Sequence, residues 1–210
     1  MLVRASLLES VASTYPTLPV ISAAAPAEKQ AVGDLVRLRK GSCVWIRPVL
    51  PSDELALRLF LGELCPETLR LRFFSGAIDL GEAAHWATRP AAGLYGLVAQ
   101  DEKGRIVGHA VYVRLAPERA EVAIEVADPL HGCGLGTILI ERLAAIAEQG
   151  GITHFVAEVL SENRAMLDVF REGFDGRVVR HDGPQERVEF LTSGWRLAHQ
   201  RFHSNNVSET

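Results

Sequence analysis

Lysine, cysteine and long apolar runs are scarce in this 210-residue chain. Lys29, Lys40 and Lys103 are its only lysines, so arginine carries nearly all of the positive charge. Arginine suits rigid contacts to phosphate or carboxylate. The formal net charge of -4 leaves no overall field to draw in nucleic acid, and no nucleic-acid partner is expected. Cys43, Cys65 and Cys133 lie far apart without a CxxC pair. That spacing argues against a disulfide framework or a structural zinc site, and no metal is expected. No stretch is long and apolar enough to span a bilayer, so no membrane partner is expected either. The faintly leader-like N-terminus is interrupted by Glu9, Ser10 and Pro16. A reducing, cytoplasmic setting is therefore favoured.

What the chain has is enough apolar content, 48%, for one domain with a real core. Residues 1–32 are rich in Ala, Ser and Pro without a sustained period, and read as a flexible or loosely docked arm. Order is expected from residue 33 to 195, followed by a polar tail over 196–210. Two strands, 35–39 and 43–48, flank the turn Lys40-Gly41-Ser42. Ser52 or Asp53 can cap a helix that has Leu55, Leu57, Leu59, Phe60 and Leu64 to bury. Pro66 can open a second helix, and residues 76–92 read as helix and loop over the core. Strands at 94–99 and 106–113 enclose the charged tip Asp101-Glu102-Lys103-Gly104, and a third strand follows at 121–126. Residues 135–148 have helical spacing and stop at Gly150-Gly151. A strand at 155–160, a helix to about Arg171, and strands at 177–181 and 187–191 complete the pattern. Helices set among strands and hairpins predict an α/β fold with a mixed sheet in one domain.

The most informative stretch is His131-Gly132-Cys133-Gly134-Leu135-Gly136-Thr137, between a strand and a helix. Alternate glycines leave backbone N–H groups open to a ligand, and the first turn of the helix adds more unpaired donors. The loop is not a dinucleotide fingerprint, because its spacing is GxGxG and it follows a run of hairpins. No lysine follows Gly136, so it is not a nucleotide-triphosphate loop. Spacing alone leaves two readings open, an anion seat and a bare strand-to-helix turn.

His131-x-x-Gly134-x-Gly136 resembles the R/Q-x-x-G-x-G/A loop of the GNAT acyltransferase superfamily. Residues 36–49 (VRLRKGSCVWIRPV) and 65–74 (CPETLRLRFF) resemble a narrower group. That group comprises bacterial protein lysine acetyltransferases and the acetyltransferase domains attached to some acyl-CoA synthetases. Residues 160–166 (LSENRAM) resemble its helix entry near the cofactor. Four motifs in order, across about residues 35–192, carry the resemblance. It implies a GNAT-type fold: a mostly antiparallel twisted sheet flanked by helices and splayed at the cofactor strand.

The same resemblance implies acyl-CoA, acetyl-CoA first, as co-substrate. Its pyrophosphate would lie on His131, Gly132, Cys133, Gly134, Leu135, Gly136 and Thr137, with backbone contacts from Val126 near the thioester. Asn163 would contact the cofactor arm, or else simply cap its helix. An amine attacking a thioester must first lose a proton. Glu121 and Glu125 are the candidates, and strand alternation puts both on the face opposite Val122, Ile124 and Val126. The resemblance favours Glu121 as general base and leaves Glu125 to orient substrate. Buried and unpaired, two such carboxylates are costly, whereas a surface-facing strand would explain them cheaply.

Four departures stand out. His131 replaces Arg or Gln. Cys133 replaces a commonly basic or polar residue and is either a reactive thiol or simply small. Phe170 stands where many relatives have an acidic tyrosine, so solvent or a held water would protonate the departing thiolate. The stretch Arg171-Glu172-Gly173-Phe174 is one residue short. The expected acceptor is a protein lysine, with an acyl-CoA synthetase among the expected partners, drawn by Glu118, Glu121, Glu125 and Asp128. The alternatives are a small-molecule amine acceptor, or a non-catalytic acyl-CoA sensor. Monomer and dimer stay equally open. His109 is expected to be packed or hydrogen-bonded, Arg47 and Arg72 to be ion-paired or on the surface, and Trp45 and Trp86 to line core or groove.

Overall fold

The computed structural model describes residues 33–74 and 78–195. The expectations for the arm at 1–32 and the tail at 196–210 lie outside the described residues. Among the described residues eight strands form one open sheet in the order β1-β2-β3-β4-β5-β6-β8-β7. They are β1 (Asp34–Arg37), β2 (Cys43–Pro48), β3 (Leu94–Gln100), β4 (Ile106–Ala116), β5 (Arg119–Val126), β6 (His154–Leu160), β7 (Arg177–Asp182) and β8 (Gln185–Leu191). Every neighbouring pair is antiparallel except β5 and β6.

Five helices cover the two faces. Helix α1 (Glu54–Glu63), α2 (Pro66–Phe73) and α3 (Leu80–Thr88) lie on one face, and α4 (Leu135–Gln149) and α5 (Arg164–Phe174) on the other. Alternation along the strands makes two separate cores. On β4, Val111 and Val113 face Leu57, Phe60, Leu61 and Trp86, while Ala110 and Tyr112 face Leu135, Leu139 and Leu143. The larger core is closed by Phe170 and Phe174 of α5 packed on Phe190 of β8.

Several local readings change. The first strand ends at Arg37, because Leu38 N–H turns to Ser42 C=O to close the hairpin. Leu55 and Leu59, expected to be buried, are 66% and 60% exposed, and the buried stripe runs instead through Leu57, Phe60, Leu61 and Leu64. These positions satisfy the 3.6-residue period, so burying Leu55 and Leu59 would turn the stripe away from the sheet. Asp53 does not cap α1. Its carboxylate receives Leu50 N–H and both Nη groups of Arg47. Arg47 is thus ion-paired as expected. Helix α3 starts at Asp79, which caps it through Gly81 and Glu82 N–H. Trp45 is 42% exposed on β2, next to the edge, rather than lining core or groove. Helix α5 runs to Phe174, past the expected stop. Asp175 in the left-handed region ends it, so the missing residue leaves the helix end well formed.

Candidate active site

The site is built where the one parallel pairing fails. β5 and β6 are in register only at Arg119↔His154, Ala120↔Phe155 and Glu121↔Val156. Beyond that, residues 122–126 and 157–160 run on without pairing each other. A cavity of about 390 Å³ occupies the gap and reaches both faces of the sheet. On the α4 side it touches the glycine loop, Val126, Asn163 and Phe170, and on the α1 side Glu121, Glu125, Leu57, Leu61 and Trp86.

At the loop, Gly132 and Gly134 have φ of 70° and 85°, a region where a Cβ is strained. Gly134 stands at the N-cap of α4 without a side-chain cap. Among the described residues, the N–H groups of Gly132, Gly134, Gly136 and Thr137 have no hydrogen-bond acceptor. These open donors, with the helix dipole behind them, are what an anion site needs and more than a turn requires. His131 folds back, its Nε2 lying 2.9 Å from Val126 C=O, where it fastens the strand end to the loop. Cys133 is buried to 1% exposure, which fits the small-residue reading and shields the thiol. Asn163 caps α5, its Oδ1 accepting Met166 N–H at 3.2 Å. Its side chain also lines the cavity, so its Nδ2 is left as a donor. Phe170 lines the cavity and stacks on Phe190 at 5.0 Å, offering no proton.

On the other face both glutamates are buried, Glu121 to 6% and Glu125 to 5% exposure, so the surface-strand explanation does not hold. Glu121 sits at the last paired position before the strands part. Glu125 accepts from His109 Nδ1 at 2.7 Å and from Arg72 Nε at 2.7 Å. Burial would raise its carboxyl, but the charge of Arg72 and the contact with His109 win and hold it at about 2. Glu125 therefore stays ionised at neutral pH. His109 is hydrogen-bonded in the core, as expected, and Arg72 is ion-paired.

Helix α2 crosses the open end of the gap. It buries none of its own residues and is tied down by polar side chains. Thr68 Oγ1 donates to Asp128 at 2.6 Å, and Cys65 N–H donates to the same carboxylate at 2.9 Å. Arg70 reaches Glu162, beside Asn163, at 2.6 Å. Asp128 is therefore engaged within the protein. Glu118 lies at the far end of β5 and does not line the cavity. Of the four acids expected to recruit the acceptor, Glu121 and Glu125 face it. The parts missed from sequence are Arg72 and His109, which lie 53 and 16 residues from Glu125. Only the repeated arginines of residues 65–74 hinted at the first.

A splayed parallel pair, an open-donor loop at a helix start and buried acids across the gap fit the class of transferases that hold their donor in a split sheet. The acetyltransferase (GNAT) family matches residues 64–174, more than half of the chain. The chain belongs to that family and so to a class whose co-substrate is acyl-CoA. It is 32% identical over 146 residues to the acetyltransferase Pat of Mycolicibacterium smegmatis, a match spanning 64% of this chain and 41% of that protein. The chain thus matches less than half the length of that curated relative. The GNAT domain of S. lividans PAT superposes with a TM-score of 0.69 at 28% identity, over 76% of this chain and 96% of that one. A spermidine N-acetyltransferase from Vibrio cholerae, solved with CoA and spermine, shares the fold at TM-score 0.58 and 16% identity, over 73% of this chain and 98% of that one. Among the described residues no helix is long and apolar enough to cross a membrane, and no group of acids, histidines and cysteines could hold a metal.

Proposed function

We propose that this chain transfers an acetyl group from acetyl-CoA to the side-chain amine of a protein lysine. One observation carries the reading: the cavity that starts at the glycine loop passes through the β5–β6 gap and opens onto Glu121. The pyrophosphate lies on the N–H groups from Gly132 to Thr137, and the pantetheine arm lies in the gap against Asn163 Nδ2. The thioester reaches Val126, whose backbone polarises the acyl carbonyl. Glu121 takes the proton from the incoming ammonium, directly or through a water, and the freed amine attacks the carbonyl carbon. The tetrahedral intermediate collapses with loss of the CoA thiolate, which solvent protonates because Phe170 cannot.

Glu125 has a different part. A carboxyl near 2 is too weak a base for an ammonium, so it orients and attracts the acceptor with its charge. The walls beyond the acids favour lysine over a polyamine. Leu57, Leu61, Phe73 and Trp86 line that side of the cavity. They suit the four methylenes of a lysine stem and penalise the further charges of a polyamine. A synthetase bearing an exposed lysine is one such partner, and the protein acts as a monomer or dimer in the cytoplasm.

The test is incubation with acetyl-CoA and lysate proteins, followed by mass spectrometry of acetyl-lysine, beside a panel of small amines. Site-specific lysine acetylation is expected. Turnover of a small amine alone overturns the lysine assignment. CoA binding without turnover of any amine points instead to a sensor.

A further inference from the structure

We infer that Arg39, delivered by the β1–β2 turn, is a phosphate-binding residue for acyl-CoA and supplies the cation that the glycine loop lacks. The inference rests on the acyl-CoA reading of the loop and adds a residue to it. The loop itself offers backbone donors but no free cationic side chain. His131 is turned to Val126 C=O, and Cys133 is buried. A pyrophosphate carries two negative charges, and a guanidinium with fixed, forked donors answers them better than N–H dipoles alone.

Arg39 is held against this loop in two ways. Its backbone N–H donates to Cys133 C=O at 3.2 Å, which docks the hairpin turn onto the loop. Its side chain lies over Gly134. A Cβ placed on that glycine would come within 3.4 Å of Arg39 Nε and 3.7 Å of its Cγ and Cδ. Those are ordinary van der Waals distances, so the arginine side chain rests directly on Gly134, whose own need for glycine is its φ of 85°. Arg39 lines the same cavity as Gly132, Gly134 and Thr137. Among the described residues its guanidinium makes no ion pair or hydrogen bond, unlike Arg47, Arg70 and Arg72. The arginine thus lies beside the open N–H groups of Gly132, Gly134, Gly136 and Thr137, where an anion would need a counter-charge. Because Gly134 belongs to the N–H cradle, the group contacted is the pyrophosphate rather than the ribose 3′-phosphate.

Calorimetric binding of CoA, dephospho-CoA and pantetheine to wild-type protein, Arg39→Ala, Arg39→Lys and Lys40→Ala tests this. Arg39→Ala is expected to weaken CoA by about 10- to 100-fold, the range of a charge-assisted hydrogen bond. The same loss is expected with dephospho-CoA, and none with pantetheine, which has no phosphate. Arg39→Lys should recover part of the affinity, because it keeps the charge and loses the fork. Lys40→Ala removes the same charge one residue away and is expected to leave CoA affinity unchanged. Equal CoA affinity in wild type and Arg39→Ala overturns the inference. So does an equal loss in Lys40→Ala, which would reduce Arg39 to general surface charge. A loss that vanishes with dephospho-CoA overturns the pyrophosphate assignment, and a loss that persists with pantetheine reveals a fold defect instead. Wild-type protein that binds no CoA overturns the acyl-CoA reading as well, so the two failures are distinguishable.

Discussion

The two faces of the sheet are held together by different physics. Helix α4, on the donor side, buries Leu135, Leu139, Ile140, Leu143, Ala144 and Ala147 completely. Helix α2, over the acceptor side, buries none of its residues and is fastened by Arg72–Glu125, Thr68–Asp128 and Arg70–Glu162. Apolar burial is strong and non-directional, so it secures a scaffold whose backbone donors must not move. Polar tethers add less net stability, but they fix position through direction and distance. The α4 face therefore carries the stability of the site, and the α2 face, on the proposed reading, its alignment and chemistry.

Four substitutions can break or sharpen this contrast. Glu121→Gln has the largest expected effect, a fall in kcat of about 100-fold or more at neutral pH with the melting curve unchanged. The loss should shrink at high pH, where the amine is already neutral. Unchanged turnover would remove Glu121 from the mechanism. Leu139→Ala tests the donor face. Its Cδ1 lies 3.1 Å from where a Cβ on Gly108 would stand, so α4 packs directly on the sheet there. Denaturant unfolding should show a loss of about 2–5 kcal/mol, with KM for acceptor little changed in the remaining folded protein. A loss confined to acceptor KM would invert the comparison.

Glu125→Gln tests the charged side. Because the folded carboxyl lies near 2 against 4.5 ordinarily, its ionisation favours the folded state above about pH 4.5. That contribution fades as pH falls toward 2. Its full size is on the order of 3 kcal/mol, so the variant should lose stability at pH 7 by roughly that amount and differ little from wild type in strong acid. A stability difference that does not depend on pH would mean the Arg72 pairing is not its source. The smallest expected effect belongs to Thr68→Val, which keeps shape and deletes one donor to Asp128. A destabilisation of about 1 kcal/mol is expected, with a rise in acceptor KM and no change in CoA affinity. Weaker CoA binding in that variant would show that α2 also serves the donor seat.

How much of this was legible in the sequence depended on distance along the chain. The glycine loop could be read because all its parts lie within residues 131–137, and the acids of β5 because strand alternation is local. The α1 stripe was misplaced because Leu55, Leu57 and Leu59 satisfy more than one helical phase, and only the sheet beneath selects one. Strand alternation puts Glu121 and Glu125 on one face without distinguishing their surroundings, and only the resemblance gave them different roles. Only the fold shows what surrounds them, since Glu125 meets His109 across β4 and Arg72 from α2.

The sequence by itself determined most of the elements, the glycine-rich strand-to-helix turn and the face on which both carboxylates stand, because each follows from near-neighbour geometry. The tertiary structure alone decided where β5 and β6 part and that Glu125 is ion-paired with Arg72. It also decided that Arg39 lies over Gly134. Each of those depends on side chains and strands distant in sequence, brought together by burial and pairing that no local pattern encodes.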